Sequence, residues 1–409
     1  MDMIHPRCAA LDLGKDVLVA AVRTQHGSRI ERECRTYGTT TVQIQTLKQW
    51  LLGHQVRQVV MEATGAYWKA IWHLLEEDFE LTLANPAAVR NLRGRKSDVN
   101  DAIWMADLHA HGLIRGSFVP PAPIAALRDL TRTRKQLGRE IARHTQRIQK
   151  TLDIANIKIT GPISDLLGVS GRAILRALIA GETDPEVLAG LVHPRVRASR
   201  ETLQEALNGL LTVQQRHLIR MHLGLIDNLQ AAVAGLDAEI EKVVEPFRPI
   251  LTAVAAIPGL GEVNTPALIA EIGVDMSRFP AHGNLISWAR LCRRLDESAG
   301  QVHSSRTLPG ANWLKPLMIQ AAHAAIKVKT SYFHAQYLRL RARRGSKKAI
   351  VAVAASILTT VYYVIRDRKP YQDLGADYFD RLDRGRIAHR HLARLRQLGY
   401  DVEIKDAVA

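Results

Sequence analysis

The chain has 409 residues, 47% of them apolar, so it can build two or three cores and is too apolar to be wholly disordered. Lys and Arg total 56 against 40 Asp and Glu, and the net charge of +16 points to a polyanionic partner such as nucleic acid. Aromatics at 5% argue against a protein that works mainly by stacking single-stranded bases, and three cysteines without a C-x-x-C pair support neither a disulfide framework nor a zinc knuckle.

In chain order, the MDMIHPRC start lacks an apolar signal core, so a cytoplasmic location is expected. Cys8 to Leu13 and Val17 to Arg23 are apolar runs split by Gly14-Lys15-Asp16, which reads as a hairpin. Arg29 to Thr36 is a weaker strand. Gln58 to Met61 is a compact apolar run and hence a buried strand. Ala66 to Glu77 has a helical pattern, Glu80 to Ala84 is another strand, and Asn85-Pro86 opens a helix in the favoured way. Asp98 to Leu113 is a strong helix. The alternation describes an α/β domain over residues 1–120, and this is how an RNase H-like domain begins. Pro120-Pro121-Ala122-Pro123 ends it.

Residues 121–248 read as a helical, coiled-coil middle. Leu127, Leu130, Leu137, Ile141, Ile148 and Leu152 sit on heptad-compatible positions of a strongly basic helix. A cleaner seam runs through Leu218, Met221, Leu225, Leu229, Ala232, Leu236, Ile240, Val243 and Phe247, three and four apart. The two helices are expected to form an antiparallel hairpin or to pair with another subunit. Pro246 to Pro249 marks a second boundary. Residues 249–380 are mostly helical, and 381–409 form a basic tail. Ala349 to Ile365 is nearly all apolar, but it falls short of the roughly 20 residues a membrane span takes and holds Ser356, Thr359 and Thr360. A buried core helix, with no membrane partner, is the expectation.

Four acids carry the chemistry. Asp12 ends the first strand in Ala-Leu-Asp-Leu-Gly-Lys, and Glu62 ends another apolar run in Val-Val-Met-Glu-Ala-Thr-Gly. An acid there costs free energy unless something compensates its charge. Asp98 and Asp101 are three apart, on one helix face. Carboxylates suit hard divalent ions such as Mg2+ or Mn2+. Two such ions about 4 Å apart can activate an attacking oxygen and stabilise the leaving one in phosphodiester chemistry. The bland reading makes Asp98 a helix cap and Glu62 the partner of an arginine. Arg90, Arg93, Arg95 and Lys96, just before Asp98, are well placed to receive a phosphate backbone.

The four acids and their flanking residues resemble the DEDD-type transposases of insertion sequences (the one-hundred-and-ten group, with its eleven-eleven branch). The resemblance is carried by Leu11-Asp12-Leu13-Gly14-Lys15, Met61-Glu62-Ala63-Thr64-Gly65 and Lys96-Ser97-Asp98 with Asn100-Asp101-Ala102. It continues through Ala256-Ile257-Pro258-Gly259-Leu260-Gly261, Ala270-Glu271-Ile272-Gly273, Glu297-Ser298-Ala299-Gly300 and Arg306-Thr307-Leu308-Pro309-Gly310, and so covers nearly the whole chain. It implies a RuvC-like domain, a coiled-coil middle and a C-terminal transposase domain. It further implies that Ser298 attacks the DNA phosphate and that a structured RNA guides recombination of element ends and target. It also implies a dimer or tetramer in which one subunit's carboxylates meet another's serine.

The residues alone say less about Ser298. Gly300 leaves room for a phosphate, but a serine is a poor nucleophile until a base or metal activates it. Ser304 and Ser305 are rivals. Ile257 to Gly261 reads equally as a phosphate-holding turn between helices or as a plain Gly-rich link. Other functions compete: a RuvC-like metal-dependent nuclease or junction resolvase without serine chemistry, an actin-like kinase using Asp12-Leu13-Gly14-Lys15, and a non-catalytic nucleic-acid binder. The kinase lacks a later Gly-rich adenosine site, and the binder leaves the four acids unexplained. A covalent protein–DNA adduct separates the recombinase from the nuclease.

Overall fold

The first strands form because β-type runs alternate between two packing faces. β1 (Arg7–Leu13), β2 (Val17–His26) and β3 (Arg29–Gly38) are followed by α1 (Thr41–Gly53), β4 (Gln58–Glu62), α2 (Trp68–Leu75), β5 (Glu80–Ala84) and α3 (Asp98–Ala110). The computed structural model describes residues 4–63, 65–84, 98–114, 116–292, 296–298, 301–304, 306–307, 313–382 and 384–402. Two compact units emerge, residues 1–120 and 121–409.

In the first unit the sheet order is β3-β2-β1-β4-β5. The first three strands are antiparallel, whereas β4 and β5 run parallel to β1. This mixed five-stranded sheet is compatible with an RNase H-like domain. Gly14 makes the β1–β2 turn possible: its N–H donates to the Val17 carbonyl, and a Cβ there would lie 2.6 Å from that oxygen. On one sheet face Ala9, Leu11, Leu13, Val59 and Met61 pack with Ile44 and Leu47 of α1 and Ile71 of α2. The α1 helix stands where no element was expected from sequence. On the other face Ala10, Val60 and Ala84 pack with Met105 and Ala106 of α3. Val19 and Ala21 pack with Ala102.

A buried ion pair fixes α3 to the sheet. Arg23 is 1% exposed, and its Nε donates to Asp107 at 2.8 Å. Arg32 reaches the same carboxylate at 3.0 Å. Asp107→Ala removes the counter-charge from a buried guanidinium. The first unit is expected to lose about 3 kcal/mol, read by urea unfolding. An unchanged unfolding midpoint would remove this ion pair from the stability account.

The second unit is helical. It contains α4 (Ala122–Ile154), α5 (Val169–Ala180), α6 (Pro185–Gly190), α7 (Arg200–Leu207), α8 (Val213–Val244), α9 (Arg248–Ala255), α10 (Thr265–Ile272) and α11 (His282–Trp288). A short hairpin, β6 (Asp296–Ser298) and β7 (Gln301–Ser304), leads to α12 (Leu314–Ala325), α13 (Tyr332–Arg344), α14 (Ser346–Asp367), α15 (Tyr378–Leu382) and α16 (Arg384–Gln397). The two long helices lie antiparallel. Ile124 and Leu127 at the start of α4 share a core with Ile240 and Val244 at the end of α8. Ile148 and Leu152 share another with Ile219, Leu223 and Ile226.

Near its start, α8 buries a different face from the expected seam. Leu218, Met221 and Leu225 are 40–43% exposed, while Ile219, Leu223 and Ile226 are buried. The reason is tertiary: this end also packs against a helical cap that includes Ile174, Leu175 and Leu203, which turns the buried face by one residue. At the other end, α14 passes by length and apolarity for a membrane span, yet Ile350, Val353, Ile357, Leu358 and Val361 lie inside the main core. Its Tyr362 hydroxyl donates to the Phe279 carbonyl at 2.9 Å. The basic tail contains the exposed helix α16.

Candidate functional site

Asp12 and Glu62 are brought together by strand register. β1 and β4 run parallel, with Ala10 opposite Val60 and Leu11 opposite Met61. Asp12 and Glu62 are the next residues on each strand, on backbones about 4.8 Å apart. Alternation puts Asp12 on the face of Ala10, and Glu62 on the face of Val60, which is the face α3 covers. Both carboxylates are half-buried.

Helix α3 runs against β1. The N–H groups of Ile4 and His5, just before β1, donate to the Ala110 carbonyl at 2.9 and 3.0 Å. The Cys8 thiol lies 3.5 Å from the Ala106 carbonyl, and Ala102 packs on Val19, the β2 partner of Asp12. The start of α3 therefore lies over the C-terminal ends of β1 and β4. Asp98 and Asp101 stand at that start, and Asp101 is half-buried. The Asp98 side chain lies outside the described residues, as do Arg90, Arg93, Arg95 and Lys96. Among the described residues no three His, Cys, Asp or Glu side chains converge as a metal cluster. The donor set, all carboxylate, matches a hard divalent ion by its chemistry. A cleft beside Asp12 is lined by Gly14, Lys15, Asp16 and Val19.

Other titratable groups nearby are structural. Burial pushes the Cys8 thiol up to about 12, so it is no nucleophile. His109 is buried and stacked on His5, and desolvation lowers it to about 4. His111 bonds instead to the Asp107 carbonyl, at 2.8 Å.

In the second unit, Ser298 ends β6 and pairs with Gln301, the first residue of β7. It therefore stands at the tip of the hairpin. Ser304 pairs with Asp296 at the opposite end, so the rival serines occupy different places. Ser305 and the side chains of Ser298 and Ser304 lie outside the described residues. The Ile257 to Gly261 turn joins α9 to α10. Gly259 has φ of +89°, and a Cβ there would come 2.1 Å from the Ala321 carbonyl of α12. Close helix packing therefore requires this glycine.

Sequence reasoning missed the ion pairs that orient these elements. Glu271 is 5% exposed and accepts from Arg132 at 2.7 and 2.8 Å, while Arg128 donates to the carbonyls of Ala270 and Glu271 at 2.8 Å. These bonds tie α4 to the C-terminal end of α10. The signal was an acid inside an apolar helix, the same oddity that marked Asp12.

Two family models match the chain. One, for a DEDD-type IS110 transposase, spans residues 9–157, and the other, the Transposase IS116/IS110/IS902 family, spans residues 251–338. The chain belongs to the IS110 family of transposases. The transposase is 23% identical over 337 residues to the pilin gene-inverting protein of Moraxella lacunata, across 80% of this chain and 86% of that protein. It is 30% identical over 121 residues to the pilin gene-inverting protein of Moraxella bovis, across 29% of this chain and 37% of that protein. The transposase is thus a DNA-recombining enzyme, and the DEDD type uses divalent metal.

Proposed function

We propose that the transposase cuts and rejoins DNA with two chemical centres: a divalent-metal site held by Asp12, Glu62, Asp98 and Asp101, and Ser298 as nucleophile. In this reading the first unit is a RuvC-like domain, and the long helices form a coiled-coil middle. The observation that supports the metal half best is the meeting of two strand-end acids with the acid-bearing start of α3 on one sheet face. Bound Mg2+ or Mn2+ would lower the pKa of an attacking hydroxyl and stabilise the leaving oxygen.

Ser298 Oγ attacks the phosphorus of one DNA strand. The Oγ–P bond forms as the bond from phosphorus to the departing sugar oxygen breaks. The serine proton passes to solvent, and the departing oxygen takes a proton up. A hydroxyl of the new strand then attacks the same phosphorus and frees the serine, so the number of P–O bonds is unchanged. The position of Ser298 at the hairpin tip supports this role over Ser304. A structured guide RNA, double-stranded element ends and target, and a dimer or tetramer that joins the carboxylates of one subunit to the serine of another complete the reading. The net charge of +16 supports the polyanionic partners.

Chelation tests the metal half. Removing divalent ions is expected to stop strand cleavage, and adding back Mg2+ or Mn2+ to restore it, in a supercoiled-plasmid assay with the element's ends. Cleavage that persists under chelation would remove the metal from the mechanism.

A further inference from the structure

The second unit holds a cavity of about 420 Å³ between α4, α8, α10 and α12, inside the roughly 300–1,000 Å³ range of small-ligand pockets. Its floor is apolar, formed by the buried and half-buried Ile240, Pro266, Ala267 and Leu317, with the exposed Ala238 at its rim. Its wall carries Lys135 and Arg139, one turn apart on α4, with their Cβ atoms therefore about 6 Å apart. Arg139 is held 5.0 Å from the centroid of Trp313, and Arg132 lies 5.4 Å from it. The indole thus fixes where the Arg139 guanidinium stands.

Charge matching singles out those two cations. Arg132 is paired with Glu271, Arg134 with Asp237, and the wall's Glu241 with Arg248. Lys135 contacts only the neutral Gln320 amide, at 3.3 Å, and Arg139 only Trp313, so neither has a carboxylate partner among the described residues. Of the remaining wall groups only Glu262, on the exposed rim, is acidic. Two unneutralised cations beside an apolar floor suit a ligand with an anionic end and a flat apolar body.

We propose that this pocket holds one nucleotide of a single-stranded segment, its phosphate between Lys135 and Arg139 and its base on the apolar floor. The inference rests on the nucleic-acid reading above and deepens it by naming a place where an unpaired nucleotide is gripped. Duplex DNA, with its bases stacked inside, cannot offer this ligand.

The test is fluorescence anisotropy with the full chain on three probes of equal length: oligo(U) RNA, oligo(dT) DNA and duplex DNA. Ala238→Phe blocks the mouth of the pocket from an exposed helix position and removes no charge. It is expected to weaken single-strand binding about tenfold, the size of one lost base contact, and to leave duplex binding unchanged. Arg139→Gln is expected to lower the slope of log K against log salt by roughly 0.7 on the single strand, one phosphate contact. Loss on oligo(U) alone assigns the pocket to RNA, and loss on oligo(dT) alone to DNA; either supports the site. Both variants binding single strands as the unmodified chain does would overturn the pocket and leave the proposed function standing. An unmodified chain that binds none of the three probes would overturn both.

Discussion

Asp12→Ala is expected to lower DNA strand cleavage by about a thousandfold or more, with nucleic-acid binding largely retained. The size follows from what the carboxylate supplies: one preorganised charge at a phosphoryl-transfer centre is worth roughly a hundred- to a thousandfold by itself, and a metal ligand also holds the ion. Glu62→Ala is expected to do the same. The double variant should be no slower than either single, because groups that act as one unit lose their effect together. Neither substitution opens a core: both acids are half-buried, and the apolar packing on either side of them comes from Ala10, Val60 and Met61. Thermal midpoints should therefore stay close to that of the unmodified chain. Glu77→Ala, in the exposed turn before β5 and away from the strand ends that carry Asp12 and Glu62, is the control and should cut normally. Undiminished recombination by Asp12→Ala would remove the carboxylate site from the chemistry.

Ser298→Ala is expected to abolish any covalent protein–DNA adduct, since no other atom at that position can form the phosphoester. Denaturing gels of a reaction with labelled DNA read the result directly. Ser304→Ala should leave the adduct in place, because Ser304 sits at the far end of the hairpin. An adduct that survives Ser298→Ala and disappears with Ser304→Ala would move the nucleophile. An unmodified enzyme that cuts with no adduct would favour water as the nucleophile, as in a RuvC-like nuclease. Ser298→Cys offers a further reading: a thiol in place of the hydroxyl, with its lower pKa, should shift the pH dependence of adduct formation.

The strand-end placement of two acids of the proposed metal site was legible because acids rarely interrupt apolar strands. Asp12 and Glu62 each end such a run, and the sheet register places them side by side. The helix bearing Asp98 and Asp101 was legible from its apolar periodicity. Other features depend on tertiary structure that spacing does not encode. α8 offers two apolar rows, Leu218-Met221-Leu225 and Ile219-Leu223-Ile226, and packing against the cap decides which is buried. Arg23 looks like a polar end to a strand, but its partner Asp107 lies 84 residues away. α1 was within reach: Ile44, Leu47 and Leu51 are spaced three and four apart and all are buried. The serine half was the least legible, since β6 and β7 are too short to show any alternation, and Ser298 entered through family resemblance.

The central claim is that Asp12 and Glu62 hold a divalent ion at the ends of β1 and β4. Mn2+ binding to the full chain, followed by electron paramagnetic resonance, tests it without any need for activity. The account predicts a bound Mn2+ signal in the unmodified protein and in Glu77→Gln, and its loss in Asp12→Asn and Glu62→Gln. Bound Mn2+ at unmodified affinity in both Asp12→Asn and Glu62→Gln would contradict it.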